Sequence, residues 1–278
     1  MTIVCIIGLG FVGGSMYKSF ANKGMIEGDN LFGYDKYCRD KGTGKFEDAL
    51  DSNIIFLALP TQYNSKNKQY DKTAIYETCD KLQNNKYNGV IVIKSTVEPS
   101  TTDMLSNKYP KLCFIHNPEF LTARTAYHDF HNQFHIVLGR GKNCSDSKLV
   151  QVKSFYNKYY ENAEVSVCTS LESESMKIFS NCFYAQKVQI FTEYYLLCQK
   201  NGCNYNRVKD MMIKNRWINP MHTNVPGPDG NVSYGGLCFP KDTNALLMYM
   251  NEENTPHRVL QACVDERNDM RSDHDNCQ

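Results

Sequence analysis

Residues 3–13 read Ile3-Val4-Cys5-Ile6-Ile7-Gly8-Leu9-Gly10-Phe11-Val12-Gly13, an apolar run that ends in a GxGxxG turn and leads into an amphipathic segment, Val12–Asn22. Apolar run, glycine turn and amphipathic segment predict strand, turn and helix in that order. The glycines permit a tight turn, close approach of a ligand to the backbone and close packing of helix on strand. The helix N-terminus presents unpaired N–H groups and a partial positive charge to an anion such as a pyrophosphate. Glycine-rich turns are common, so the spacing gains its weight from what surrounds it.

Asp35 supplies that context. It ends the next strand-like run, Leu31–Tyr34, and lies 22 residues beyond Gly13. A carboxylate there accepts hydrogen bonds from an adenosine ribose diol and repels a 2′-phosphate, so NAD is expected over NADP, with the adjacent Lys36 opposing that preference slightly. The cofactor contacts expected are Gly8, Gly10, Phe11, Val12, Gly13 and Asp35.

Further strand-like runs follow at Ile54–Leu59, Val90–Lys94, Leu112–Ile115 and Ile136–Leu138, with a helical pattern at Ala74–Leu82 between two of them. Continuous apolar runs alternating with helices imply strands buried on both faces of a mostly parallel sheet. The expected fold is therefore α/β, a Rossmann-like doubly wound sheet over residues 1–168. Past about residue 165 the character changes. Leu171–Lys200 contains no Gly or Pro and has apolar residues at helical spacing. A shorter helix is expected at Asn206–Lys214, an irregular Pro-, Gly- and Asn-rich loop at Asn219–Pro240, and helices at Thr243–Met250 and Pro256–Met270. Residues 169–278 are thus read as an all-helical domain, with a polar end at 272–278 expected to fray.

Composition narrows the class. With 41% hydrophobic residues, 22% charged and a net charge of +1, nothing points to nucleic acid or an anionic membrane surface. No run approaches the roughly 20 apolar residues that cross a bilayer. The twelve cysteines are scattered, several inside apolar stretches (Cys5, Cys113, Cys182, Cys263), so reduced core thiols in a cytoplasmic protein are expected over a disulfide scaffold. No metal-ligand set stands out.

Four segments carry chemistry that folding alone does not require. Lys94-Ser95-Thr96-Val97 and Asn117-Pro118-Glu119-Phe120-Leu121 both lie at the C-terminal ends of expected strands, where ligands of doubly wound sheets bind. Each also reads as a helix cap or a turn. On the long helix, Lys177 and Asn181 are four apart and share a face able to stabilise a developing oxyanion; an ordinary amphipathic edge is the other reading. Gly235-Gly236-Leu237-Cys238-Phe239-Pro240-Lys241-Asp242 is the most specific. Pro240 suits the first turn of a helix, so Cys238 falls just before a helix N-terminus, whose dipole, with Lys241, favours a thiolate. The other reading is that Cys238 merely packs.

Taken together, GLGFVG at 8–13, Leu59-Pro60-Thr61, KSTV at 94–97, NPEFL at 117–121, Glu174-x-x-Lys177-x-x-x-Asn181 and GGLCFPKD at 235–242 resemble the UDP-glucose/GDP-mannose dehydrogenase family, in order and along almost the whole chain. Residues 225–230 also resemble that family's sugar-binding loop. The resemblance implies an NAD-dependent four-electron oxidation of a nucleotide-sugar C6 alcohol to a carboxylate, as UDP-glucose to UDP-glucuronate, through a Cys238 thiohemiacetal and thioester. It implies that Lys177 and Asn181 stabilise oxyanions, Asp242 assists proton transfers, Thr96 holds a water and Glu119 serves as general base in hydrolysis. Thr61, Thr96 and Lys241 would contact the cofactor. Glu119, Phe120, Leu121, Lys177, Asn181 and Gly235 would line the sugar site.

The chain departs from the family pattern in three places. Ala123 stands where an acidic residue is usual, and only 18 residues, Lys36 to Asn53, separate Asp35 from the next strand. The family also continues from its helical central, dimerisation-type domain into a second Rossmann-like domain, whereas the match here stops at Val259–Met270. That domain is expected to be absent, with a homodimer or a separate chain as the partner. Two rival readings stay open: a β-hydroxyacid dehydrogenase of 6-phosphogluconate type, which needs no cysteine, and a non-catalytic NAD-binding remnant or partner subunit.

Overall fold

The computed structural model describes residues 1–38 and 40–273. Most of the polar end expected to fray, residues 274–278, lies outside them. The elements begin β1 (Val4–Ile7), α1 (Phe11–Asn22), β2 (Leu31–Tyr34), a 3-10 turn (Glu47–Ala49), β3 (Ile54–Leu57), β4 (Tyr63–Asn64), β5 (Gln69–Tyr70) and α2 (Thr73–Asn84). Next come β6 (Val90–Ile93), α3 (Thr101–Lys108), β7 (Cys113–His116), α4 (Ala126–His131), β8 (His135–Arg140), α5 (Asp146–Tyr159) and β9 (Glu164–Thr169). Helices α6 (Ser170–Lys200), α7 (Tyr205–Lys214), α8 (Phe239–Glu252) and α9 (Arg258–Met270) close the chain. Two compact units result: Met1–Thr61 with Asp71–Lys177, and Gln62–Tyr70 with the residues from Ile178 onward.

The first unit is built on a seven-stranded sheet in the order β2-β1-β3-β6-β7-β8-β9, parallel except where β8 runs against β7. This is the doubly wound α/β fold expected. Strands β1, β3, β6 and β7 are buried at every residue. Alternate residues serve opposite faces: Val4 and Ile6 join Phe20, Phe56 and Ile115 in one core, while Cys5 and Ile7 join Ile55, Leu57 and Phe114 in the other. That is why these strands read as unbroken apolar runs. The strand order reverses at β1, flanked by β2 and β3, so a crevice opens beyond the carboxyl ends of β1 and β3.

The second unit holds the later part of α6 with α7, α8 and α9, and a hairpin formed by β4 and β5 joins them. Tyr63 and Tyr70 of that hairpin pack with Ile178, Cys182, Leu246 and Leu260. Cys5, Cys113, Cys182 and Cys263 are all buried, as expected of core thiols.

The first turns of α6 are fixed by buried polar groups of the first unit. Ser173 Oγ lies 2.8 Å from Nδ1 of the fully buried His116, and Glu174 accepts the Thr102 N–H at 2.7 Å at the start of α3. Burial raises the Glu174 carboxyl to about 7, against the opposing hydrogen bonds from Thr102 and Ser100. Below the unfolded value of about 4.5 the neutral acid costs nothing extra, and its contribution is lost as pH rises through about 7. Glu174→Gln keeps the acceptor and removes the charge. The variant is expected to be more stable than the parent by up to about 3 kcal/mol at pH 8, with the gap closing towards pH 5. Urea unfolding at the two pH values checks this; an equal gap at both would show that Glu174 ionises alike in the folded and unfolded chains.

Candidate functional site

The turn after β1 is shaped for close approach. Gly8 has φ +91°, a region costly for any side chain, and a Cβ on Gly13 would overlap the Gly8 carbonyl oxygen and come within 3.1 Å of Ala58 Cβ. A Cβ on Gly10 would meet nothing within 4 Å. Two glycines are therefore demanded by packing, and the one between them faces open space at the N-terminus of α1. Asp35 follows β2 directly. Its carboxylate accepts N–H bonds from Leu9 at 2.7 Å, Tyr37 at 2.9 Å and Cys38 at 3.0 Å. Partial burial would raise this acid, but the three amides and Lys41 outweigh that and hold it below the usual carboxylate range. A permanently ionised acid tied to the glycine turn fits the ribose of NAD, and the open Gly10 position fits its pyrophosphate. Lys36, expected to weaken the preference for NAD, is instead paired with Glu77 at 3.3 Å on the surface.

Beyond the other central strands, Thr61 Oγ1 donates to the Thr96 carbonyl at 2.7 Å, and Ser95 Oγ donates to the Leu59 carbonyl at 2.7 Å. The Leu59-Pro60-Thr61 and Lys94-Ser95-Thr96 segments are thus stitched together. The Asn117-Pro118-Glu119 turn meets Lys177. The Lys177 ammonium donates to the Glu119 carbonyl at 2.6 Å and pairs with its carboxylate at 3.2 Å. Glu119 also accepts the Leu121 N–H at 2.7 Å. Phe120 is half exposed, stacks on His135 at 6.2 Å, and lies 5.6 Å from the Lys177 nitrogen. Lys177 and the Glu119-Phe120-Leu121 segment, singled out separately, form one cluster.

In the second unit Cys238 is the N-cap residue of α8, with Pro240 in the first turn. It is exposed, unlike the core thiols. Asp242, in the same first turn, is fully buried, and its carboxylate accepts from Asn181 Nδ2 at 2.6 Å, Tyr70 Oη at 2.5 Å and Lys241 Nζ at 2.5 Å. Lys241 also lies 4.5 Å from the Tyr70 ring centroid. Its charge is therefore engaged by Asp242. Tyr70 is a member of this cluster that sequence reasoning missed; it sits on a two-residue strand 172 positions from Asp242.

The loop leading to Cys238 is pinned at several points. Ser233 donates to Thr192 Oγ1 at 3.0 Å through its N–H and to Gln189 Oε1 at 2.5 Å through its hydroxyl. Arg267 donates to the Tyr234 carbonyl at 3.2 Å, and Arg271 to the Val232 carbonyl at 3.2 Å and the Asp229 carboxylate at 2.7 Å. A Cβ on Gly235 would collide with the Arg271 guanidinium. A protein side chain therefore already explains that glycine, which sequence reading gave to a substrate.

Two family models match the chain: the NAD binding domain of the UDP-glucose/GDP-mannose dehydrogenase family over residues 38–160, and its central domain over 171–269. A UDP-glucose 6-dehydrogenase of Rhizobium meliloti is 27% identical over 308 residues, an alignment covering 94% of this chain and 66% of that protein. A UDP-glucose dehydrogenase from the archaeon Pyrobaculum islandicum superposes with a TM-score of 0.79 at 22% identity, covering 95% of this chain and 67% of that one. A 3-hydroxyisobutyrate dehydrogenase of Mycobacterium tuberculosis superposes with a TM-score of 0.74 at 14% identity, covering 99% of this chain and 95% of that one, a likeness of fold alone. The chain spans about half to two thirds of the length of the curated relatives it matches. Among the described residues no helix is long and apolar enough to cross a membrane. Glu119 falls within the first of the two family matches and Lys177 and the α8 cysteine within the second, and the chain belongs to the UDP-glucose/GDP-mannose dehydrogenase family, with NAD as its cofactor.

Proposed function

We propose that this chain carries the catalytic residues of an NAD-dependent dehydrogenase that oxidises the C6 alcohol of a nucleotide sugar to a carboxylate, with UDP-glucose as substrate and UDP-glucuronate as product. The observation that carries the proposal is an exposed thiol at the N-cap of α8, in the same helical turn as a buried carboxylate that holds Asn181 and Lys241. Bound NAD supplies the hydride acceptor, held by Gly8, Gly10, Phe11, Val12, Gly13 and Asp35 with Thr61, Thr96 and Lys241.

Two hydride equivalents leave the C6 carbon and one water enters. After the first, the Cys238 thiolate adds to the aldehyde carbon and forms a thiohemiacetal; removal of the second hydride gives a thioester, which water cleaves to carboxylate and thiol. Lys177 and Asn181 stabilise the oxyanions by hydrogen bonding, and Asp242 assists proton transfer by way of its bond to Asn181. Glu119, with Thr96 holding the water, removes the proton from water in the last step. Phe120, Leu121 and Gly235 line the sugar. The β-hydroxyacid reading gains nothing beyond the shared fold.

Incubation with NAD⁺ and a panel of UDP-glucose, UDP-hexosamines, GDP-mannose and a 3-hydroxyacid, followed by NADH absorbance, tests this. Two NADH per UDP-glucose are expected. Measurable NAD binding with no NADH from any sugar would make the chain a non-catalytic partner, and one NADH per molecule of a 3-hydroxyacid would make it a hydroxyacid dehydrogenase.

A further inference from the structure

Lys94 immediately follows β6 and is almost fully enclosed, at 2% exposure. Enclosing an ammonium is costly unless oxygen acceptors surround it, and a methionine of similar length would fill the space more cheaply. Its Nζ donates to Asn117 Oδ1 and to the Pro118 carbonyl, both at 3.1 Å, and lies 5.6 Å from the Phe130 ring centroid. Asn117 is itself a junction. Its backbone N–H donates to the Ile93 carbonyl at 2.8 Å, its side-chain amide to the Val137 carbonyl at 2.7 Å, and its Oδ1 also accepts Tyr156 Oη at 2.5 Å.

Lys177 holds the next carbonyl along the chain, that of Glu119, at 2.6 Å. Two ammonium groups therefore grip consecutive carbonyl oxygens of one turn, Lys94 on Pro118 and Lys177 on Glu119. Pro118 has no N–H to give, so its carbonyl is the backbone group through which a hydrogen bond can hold it.

We propose that Lys94 is a positioning residue that holds the Asn117-Pro118-Glu119 turn against the end of β6 and so sets where the Glu119 carboxylate meets the Lys177 ammonium. Its catalytic meaning rests on the roles given above to Glu119 and Lys177. The groups that face it are His116 on β7, Tyr156 on α5, Glu119 on the turn and Lys177 on α6. Burial lowers Lys94 to about 7, with Lys177 lowering it further and Glu119 opposing. Burial, then Lys94 and Lys177, hold His116 neutral down to about 3, and burial keeps Tyr156 un-ionised. Lys94 therefore changes charge near neutral pH.

The test compares the parent with Lys94→Met, which removes the donors, and Lys94→Gln, which keeps a neutral donor and serves if the methionine variant does not fold. Hydrogen–deuterium exchange needs no activity. Amides of residues 119–122 are expected to exchange roughly tenfold faster in Lys94→Met, with those of β1 and β3 unchanged. For NADH formation, kcat is expected to fall roughly 100-fold with KM for the sugar little changed, and the limb of the kcat–pH profile near neutrality to disappear. Lys94→Gln should recover part of both effects. Unchanged exchange at 119–122 overturns the proposal. So does faster exchange with an unaltered kcat and pH profile, because Lys94 would then be structural only. If the parent oxidises none of the sugars, the enzymatic reading fails, while the exchange measurement still decides whether Lys94 holds the turn.

Discussion

Cys238→Ser is expected to abolish uronate formation from UDP-glucose, lowering its rate by roughly 1,000-fold or more, about 4 kcal/mol of barrier. The expectation follows from what the first turn of α8 can and cannot do. A helix N-terminus carries about half a positive charge, enough to draw a thiol towards its thiolate near neutral pH. It falls far short of ionising a serine hydroxyl, and the Asp242 carboxylate in the same turn is already committed to Asn181, Tyr70 and Lys241. The substitution changes one atom at an exposed position, so folding and NAD binding should be untouched. The discriminating readouts are the number of NADH formed per sugar and the mass of the protein after acid quench. The parent should give two NADH and a sugar-adduct mass on the peptide holding Cys238; the serine variant should give neither. Uronate formation by Cys238→Ser within tenfold of the parent would sink the covalent mechanism and leave oxidation without a thiol.

The parts of this molecule that could be read from its residues are those where short-range chemistry and burial agree. Strand β1 and its glycine turn are one such case: four buried residues in a row announce a central parallel strand, and steric demands at Gly8 and Gly13 leave no other residue type. Helix α6, expected at Leu171–Lys200 and found at Ser170–Lys200, is another, because 31 residues without Gly or Pro leave few alternatives. Other elements give a weaker trace. Strand β9 lies at the sheet edge with no fully buried residue, so Val165 and Val167 alternate with polar residues over too short a span to stand out. The β4–β5 hairpin has two-residue strands, below the length at which alternation has meaning. Within the site, residue types were legible and pairings were not. Lys241 was read as a neighbour of cofactor and thiolate, and its ion pair with the adjacent Asp242 was not foreseen. Gly235 was read as lining the substrate, and the Arg271 guanidinium that a side chain there would strike, 36 positions away, was not foreseen. Contacts of that range are set by the packing of whole helices, and no local pattern encodes them.

The second large effect separates the packing role of the cofactor turn from its binding role. Gly13→Ala puts a methyl group where the Gly8 carbonyl oxygen already lies, with the carbonyl carbon at 2.9 Å and Ala58 Cβ at 3.1 Å. Two of those three atoms are backbone and cannot rotate away, so α1 must shift from β1. A loss of about 3 kcal/mol of stability is expected, at the upper end of overpacking costs, together with at least ~100-fold weaker NAD binding, because the helix N-terminus moves with the turn. Gly10→Ala is the informative contrast. Gly10 is the N-cap of α1 with φ −72°, a backbone that alanine tolerates, and its new methyl would meet no protein atom within 4 Å. This variant should unfold at the parental urea concentration. If the pyrophosphate lies over Gly10, however, the same methyl occupies the ligand's space, and NAD binding should again fall by roughly 100-fold, about 2.7 kcal/mol. Calorimetric titration with NAD and urea unfolding on both variants separate the two effects. Parental NAD affinity in Gly10→Ala would mean that the pyrophosphate does not approach this turn, and the assignment of the first unit's glycines to a cofactor would fail even though the fold stood.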